Sequence, residues 1–219
     1  MDKAVVIFSG GQDSTTCLGW AKNRYEDLEG ISFNYGQRHH VETDQAKIIA
    51  DKLGVPLTLF DISFYSKMVI SALTGEGNVN LPHEDNHQLP ASFVPNRNAL
   101  FILLAHSFAQ TKKAKVLIGG FCQTDFSGYP DCRETFTELM LKSLNLGSDQ
   151  HIELKTPLMH LSKAETFKLA QQEGILDLVI RDSHTCYEGS PAANDWGRGC
   201  GNCPACLLRK KGYLEFIQL

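Results

Sequence analysis

The chain has 219 residues, a hydrophobic fraction of 42%, charged residues at 21% and a formal net charge of −4 at pH 7. That fits one soluble globular domain, or one domain with a small appendage, carrying enough apolar material for a sizeable core. The acidic balance and scattered basic residues argue against nucleic acid as a direct partner, and no apolar stretch is long enough to span a bilayer. The N-terminus lacks the pattern of a signal peptide, so the expected location is cytoplasmic.

A short apolar run over 3–8 predicts a strand that breaks into Ser9-Gly10-Gly11-Gln12-Asp13-Ser14, with a helix over 13–23 beyond it. Two adjacent glycines let the backbone wrap closely around a ligand. Unpaired N–H groups at the start of the following helix carry the positive end of its dipole and suit phosphate. The serines and Thr15 add hydroxyl donors, and Asp13 is placed to cap the helix or help hold magnesium. No Gly-Lys-Ser/Thr follows, so the loop is not a Walker A motif. It resembles instead the pyrophosphate loop of ATP-pyrophosphatases, which split ATP between its α and β phosphates and adenylate a substrate. An ordinary glycine-rich turn is the plain alternative. The resemblance implies an ATP site formed by Phe8, Ser9, Gly10, Gly11, Gln12, Asp13, Ser14, Thr15, Thr16, Cys17 and Leu18.

A second strand fits 28–34 and runs into Tyr35-Gly36-Gln37-Arg38-His39-His40, and a helix fits 41–53, stopped by Gly54 and Pro56. Leu57 to Phe60 reads as a third strand. The stretch 72–95 is rich in Gly, Asn, His and Pro, lacks a period, and reads as a long loop or lid. Helices fit 97–112, 131–146 and 162–173, the last ended by Gly174, with strands over 115–119 and 151–155. Ser162 with Glu165 forms a helix-start pattern that includes Lys163. This alternation implies a parallel sheet with helices on both faces and ligands at the carboxyl ends of the strands. Ser9, Tyr35 and the segment after Gly120 emerge at that edge.

Of seven cysteines, four lie near the end, at Cys186, Cys200, Cys203 and Cys206. A chain without an export signal is no place for a disulfide framework, and C-x2-C-x2-C spacing with a distant upstream fourth cysteine favours tetrahedral zinc. With all four positions filled by protein, the ion is structural. An iron–sulfur cluster remains the rival. Cys17, Cys122 and Cys132 are expected to serve packing.

Further segments narrow the reading. Phe33-Asn-Tyr-Gly-Gln-Arg-His39, Phe93-Val-Pro-Asn-Arg-Asn98, Thr124-Asp-Phe-Ser-Gly-Tyr-Pro-Asp-Cys-Arg133, Thr156-Pro-Leu-Met159 and Ser162-Lys-Ala-Glu-Thr166 closely resemble the 7-cyano-7-deazaguanine synthases of queuosine biosynthesis, as does the closing cysteine pattern. The matches run in family order from residue 5 to about residue 209. The resemblance implies a homodimeric, ATP-dependent ligase that takes 7-carboxy-7-deazaguanine and ammonia to the nitrile, with one zinc per subunit on the four cysteines. Two departures stand out: Asn96 where the family pattern has Gly, and a somewhat longer insert between Cys186 and Cys200. Asn tolerates left-handed backbone, so that turn is expected to survive.

Arg38 and Arg97 are the candidates to neutralise the carboxylate or developing phosphate charge, and Asp125 to read the guanine-like edge, with Phe126 or Tyr129 stacking on the base. Arg133 is a further candidate for charge balance. His39, His40 and His106 stay outside the catalytic set, since a lone histidine is more often structural. The expected fold is α/β, a doubly wound, mostly parallel sheet of the adenine nucleotide alpha hydrolase-like, Rossmann-like class. The expected division is an ATP-pyrophosphatase-like domain over 1–180 and a zinc-binding region over 181–219 packed on it. Two rivals remain: a tRNA-thiolating ligase with an iron–sulfur cluster, and a zinc-ribbon nucleotide sensor without turnover.

Overall fold

The computed structural model describes residues 3–39, 41–75, 77–83, 86–124 and 129–219. Strands β1 (Ala4–Ile7), β2 (Leu28–Asn34), β3 (Leu57–Asp61), β4 (Val116–Gly119) and β5 (Glu153–Lys155) form one parallel sheet in the order β3-β2-β1-β4-β5. Alternate residues of the central strands feed two cores. Ala4, Val6, Val116 and Ile118 point to the side packed by helices α1 (Gln12–Lys22) and α2 (Val41–Leu53). Val5, Ile31 and Leu117 point to the opposite side, where α3 (Arg97–Thr111) and α4 (Glu134–Ser148) pack. Near-continuous apolar runs such as Ala4-Val-Val-Ile7 are what a strand buried on both faces requires.

The strand order reverses direction between β1 and β4. The crevice at their carboxyl ends is therefore the topological switch point, where such sheets take ligands.

The expected strands and helices through residue 173 all form, with shifted boundaries. Pro130–Cys132 is a 3-10 turn, so α4 begins at Glu134 rather than 131, and it continues to Ser148. The 72–95 segment contains no helix or ladder strand among its described residues, only an isolated bridge between Pro82 and Pro90. Helix α5 (Lys163–Gln172) starts with the reciprocal cap expected: Ser162 Oγ accepts from the Glu165 N–H, and the Glu165 carboxylate accepts from the Ser162 N–H. The sequence reading did not anticipate α6 (Leu176–Asp182), the β6–β7 hairpin (Ala193–Asn194 with Gly197–Arg198) or α7 (Pro204–Phe216). α7 packs on α5, where Phe167 and Tyr213 meet edge-on at 5.5 Å between ring centroids.

Asn96 stands at the start of α3 with φ 56° and ψ 17°, in the left-handed region that the turn was expected to demand. Asn96→Gly should therefore leave the urea midpoint unchanged, whereas Asn96→Ala should cost about 1 kcal/mol in the same melt.

Candidate active site

At the carboxyl end of β1 the chain turns through Ser9, Gly10 and Gly11 into α1. Gly10 has φ +86°, and a Cβ there would lie 2.5 Å from the Glu42 carbonyl oxygen and 2.7 Å from the Ala46 nitrogen. The turn can approach α2 only as glycine. Its own serines close it: Ser9 Oγ and Ser14 Oγ lie 3.1 Å apart, the Ser9 N–H donates to Ser14 Oγ (3.2 Å), and Ser14 Oγ donates to the Gly11 carbonyl (3.2 Å). Asp13 does not cap α1, whose N-cap is Gly11 without a side-chain bond. Its carboxylate instead accepts from Lys163 Nζ at 2.9 Å to both oxygens. Lys163 thus reaches from α5 into the loop, a role the helix-start reading missed.

The loop forms one wall of a cleft of about 270 Å³. Ser9, Gly11, Gln12, Asp13 and Ser14 line it, as do Tyr35 beyond β2 and Gly120, Phe121 and Cys122 beyond β4. Phe8, Thr15, Thr16, Cys17 and Leu18 of the expected ATP segment are buried behind the loop, four of these five side chains at 0% exposure and Phe8 at 1%. They shape the loop from the core side.

Arg97 and Arg38 line the same cleft as the loop, although they come from different connections. The Arg97 guanidinium sits 5.6 Å from the ring centres of both Tyr35 and Tyr129, and its Nη1 donates to the Tyr35 hydroxyl at 3.4 Å. Burial works against its charge, but the phenolic oxygens of Tyr35, Tyr129 and Tyr187 and the Asp131 carboxylate keep it protonated. The Asp131 carboxylate accepts the Asn98 N–H at 3.0 Å and so completes the start of α3 that carries Arg97. Arg38 is exposed at the rim, where its Nη1 donates to the Gly77 carbonyl at 3.0 Å and the Ala72 carbonyl at 3.4 Å, tying the Tyr35–His39 turn to the 72–95 segment.

Asp125 and Phe126 lie outside the described residues. Tyr129 lines the cleft with its hydroxyl 2.8 Å from Ser92 Oγ and 3.0 Å from the Tyr187 hydroxyl. Arg133 is exposed at the start of α4 and does not line the cleft. His106 is buried between Asn145 and Gln110, a structural placement. His39 lines the cleft, and His40 lies outside the described residues. Cys17 is a core residue, but Cys122 and Cys132 face the cleft, contrary to a plain packing role. Burial pushes the Cys132 thiol up to about 12, so it is no thiolate nucleophile at neutral pH.

Glu42, unnoticed in the sequence, also lines the cleft. It has no hydrogen bond or ion pair to another described residue, and burial raises its carboxyl to about 7 against the pull of Arg97. Of the six buried side-chain polar atoms without a hydrogen-bond partner among the described residues, five belong to cleft-lining residues: both amide atoms of Gln12, His39 Nε2, Arg97 Nε and His184 Nδ1; the sixth, Thr15 Oγ1, lies behind the loop. Native structures leave few such groups, and here they mark a cavity built for a polar ligand.

The four cysteines of the tail converge beside this cleft. Their sulfurs lie within 4.8 Å of one another, with Cys200 and Cys206 at 3.9 Å. Tetrahedral thiolates about 2.3 Å from a single ion stand about 3.8 Å apart, so the cluster fits one metal ion. N–H groups of Cys200, Asn202 and Cys203 point at the Cys186 and Cys200 sulfurs at 3.3–3.4 Å, which supports their negative charge.

A family model described as queuosine biosynthesis protein QueC matches residues 3–217. The chain belongs to this family. It is 50% identical to a 7-cyano-7-deazaguanine synthase of Wolinella succinogenes, over 97% of this chain and 93% of that one. Its identity to the synthase of Lysinibacillus sphaericus is 46%, over 99% and 96%. Among solved structures, NMN synthetase from Francisella tularensis superposes with a TM-score of 0.54 at 14% identity, over 89% of this chain and 70% of that one. The U34-tRNA thiolase NcsA from Methanococcus maripaludis with its [4Fe-4S] cluster gives 0.51 at 15% identity, over 100% and 66%. Those two likenesses establish the fold alone. The synthase family accounts for the chain as an enzyme of the queuosine pathway that makes 7-cyano-7-deazaguanine.

The unpartnered Glu42 gives this site a pH signature in stability. Its carboxyl sits near 7 in the folded protein, against an ordinary 4.5, so the contribution is intact below pH 4.5 and lost as pH rises through 7. Glu42→Gln should therefore raise the melting temperature at pH 8 by the equivalent of roughly 1–3 kcal/mol, with the gap closing toward pH 5.

Proposed function

We propose that the chain is an ATP-dependent carbon–nitrogen ligase that converts 7-carboxy-7-deazaguanine and ammonia to 7-cyano-7-deazaguanine in two activations. The observation that carries the reading is the set of unpartnered polar atoms on Gln12, His39, Arg97 and His184 around one cleft at the switch point, in a chain of the synthase family. A carboxylate is a poor electrophile, because oxide is a prohibitive leaving group. Attack of the substrate carboxylate on the α-phosphorus releases pyrophosphate and gives an acyl-adenylate, and ammonia displaces AMP to give the amide. In a second turn the amide oxygen attacks a further ATP. Loss of AMP and the two N–H protons then leaves the nitrile.

In this reading Ser9, Gly10, Gly11, Asp13 and Ser14 hold the phosphates, with magnesium, when bound, neutralising charge between them. Lys163 fixes the Asp13 carboxylate. Arg97 offsets the charge of the carboxylate and of the developing phosphate, and Arg38 acts from the rim. Asp125 reads the guanine-like edge, with Phe126 or Tyr129 against the ring. Glu42, an unpaired acid whose carboxyl titrates near neutrality, takes the proton from ammonium so that the free amine can attack. The metal is zinc and structural. A four-iron cubane spreads its thiolates over four separate corners, whereas sulfurs within 4.8 Å suit a single ion. The working form is a cytoplasmic homodimer acting on small molecules, without a nucleic acid or membrane partner.

The decisive experiment follows base and nucleotide together by mass spectrometry, with 7-carboxy-7-deazaguanine, ammonium, magnesium and ATP. The expected outcome is nitrile with a transient amide, two AMP per nitrile, and one zinc without iron in the protein. ADP as the product would move the attack to the γ-phosphorus, and ATP binding with an unchanged base would overturn the assignment. Arg97→Met should lower kcat/KM for the base on the order of 10²-fold while circular dichroism stays unchanged. The acid limb of kcat/KM for ammonium should fall near pH 7 and vanish in Glu42→Gln. An unaltered profile would remove Glu42 from the mechanism.

A further inference from the structure

Arg209 is the largest fully buried side chain of the protein among the described residues, at 1% exposure, and it has no carboxylate partner. A buried guanidinium is tolerated only where oxygen acceptors surround it. Here Nε donates to the Trp196 carbonyl (3.0 Å), Nη2 to the Val179 carbonyl (2.8 Å), and Nη1 to the Ser183 carbonyl (3.3 Å) and Thr185 Oγ1 (3.2 Å). Burial pulls its pKa down to about 10, while Asp13 and Cys206 push it back, so it is charged at neutral pH. The chain makes room for it. Gly197 adopts φ +127°, and a Cβ there would lie 2.2 Å from Arg209 Nη2.

Two of these acceptors, Ser183 and Thr185, lie on the 183–186 strap that ends in a cysteine of the cluster, while Val179 belongs to α6 and Trp196 to the turn of the β6–β7 hairpin. Cys186 directly follows Thr185, and Cys206 is one turn before Arg209 on α7. The strap in turn holds the loop at the carboxyl end of β1. Thr185 Oγ1 accepts the Gln12 N–H at 3.2 Å, and the His184 N–H donates to the Gly10 carbonyl at 3.0 Å. Gln12 is itself 1% exposed, with both amide atoms unpartnered on the cleft.

We infer that Arg209 is a positioning residue through which the metal knuckle sets the geometry of the ATP loop, by way of the 183–186 strap and its Thr185 contact with Gln12. This rests on the reading of the loop as the nucleotide site. A divalent ion on four thiolates carries a net double negative charge, and the guanidinium one turn along α7 offsets it. Metal binding orders Cys186 and Cys206, Arg209 ties the strap between them, and Thr185 hands that order to the first N–H of α1. The loop is then preorganised for phosphate before nucleotide arrives. Metal loading and nucleotide affinity are thereby coupled, although the metal touches no substrate.

Thr185→Val tests the link, since it keeps the side-chain shape and removes the shared acceptor. Calorimetry with an ATP analogue carrying a methylene between the α and β phosphorus atoms reads affinity, and elemental analysis reads metal. The variant is expected to bind the analogue roughly tenfold more weakly and to show a raised KM for ATP. It should keep one metal per chain and an unchanged KM for the base. Withdrawing the metal from the natural protein with a chelator should weaken analogue binding by a comparable factor, and should add little in the variant. Arg209→Lys should retain part of the affinity that Arg209→Met loses. Equal analogue affinity in Thr185→Val and the natural protein would overturn the inference alone. No binding by the natural, metal-loaded protein would overturn the nucleotide reading and this inference with it.

Discussion

The geometry of the cleft depends on the close approach of Gly10 to the first turn of α2. A Cβ at that position would fall inside the contact distance of the Glu42 carbonyl and the Ala46 nitrogen, so any other residue would push the loop off the helix. With glycine, the ends of β1 and β2 and the start of α2 share one small volume. Glu42 is carried to the cleft by that contact, as Tyr35 is by the turn after β2. The other side of Gly10 is held by the His184 N–H. The turn is therefore clamped between α2 and the tail.

Charge is distributed in the cleft so that some of it stays uncommitted. Asp13 is balanced by Lys163, a pair that fixes the loop. Among the described residues Arg97 is surrounded by phenolic oxygens and rings instead of a carboxylate at bonding distance, which leaves its field available to an incoming anion. Glu42 is buried with no hydrogen bond or ion pair to another described residue, and that burial, against the pull of Arg97, holds its proton to near neutrality. Of these arrangements, that of Glu42 costs stability once its carboxyl ionises. Local violation of polar satisfaction concentrated at one cleft is what a ligand site looks like.

The sheet was legible in the sequence because buried parallel strands are short apolar runs set between helical segments, as at 3–8 and 115–119. Asn96 was legible too, since its backbone demand is local. The tail was not. α7 begins inside the cysteine cluster, so the residues that should announce a helix start are cysteines of that cluster, and α6 is one short stretch with no side-chain cap. The loop could be read from its motif, but Lys163, Glu42 and Arg209 could not be placed from theirs. Lys163 looks like part of a capping box, Glu42 like a helix-start acid and Arg209 like one of three consecutive basic residues. What distinguishes them is long-range: the Asp13 partner on α1, the absence of a partner for Glu42 among the described residues, and four acceptors brought together by folding.

On the reading of the four cysteines as a metal site, the ion has a structural place in this enzyme. Between Ser183 and Cys203 the regular structure is a hairpin of two two-residue strands, which by itself does little to fix the cysteines. A metal held by the four thiolates, as proposed for this cluster, would add a few strong bonds there. Cys186, Cys203 and Cys206 also share an apolar cluster with Val5, Ile31 and Leu117 of the sheet, so the knuckle is seated on the same core that orients β1. Order imposed at the cysteines therefore has a short path to the loop: through Arg209 to Thr185 and Gln12, and through His184 to Gly10. The tail that composition marks off as a separate region is, in its contacts, one wall of the site.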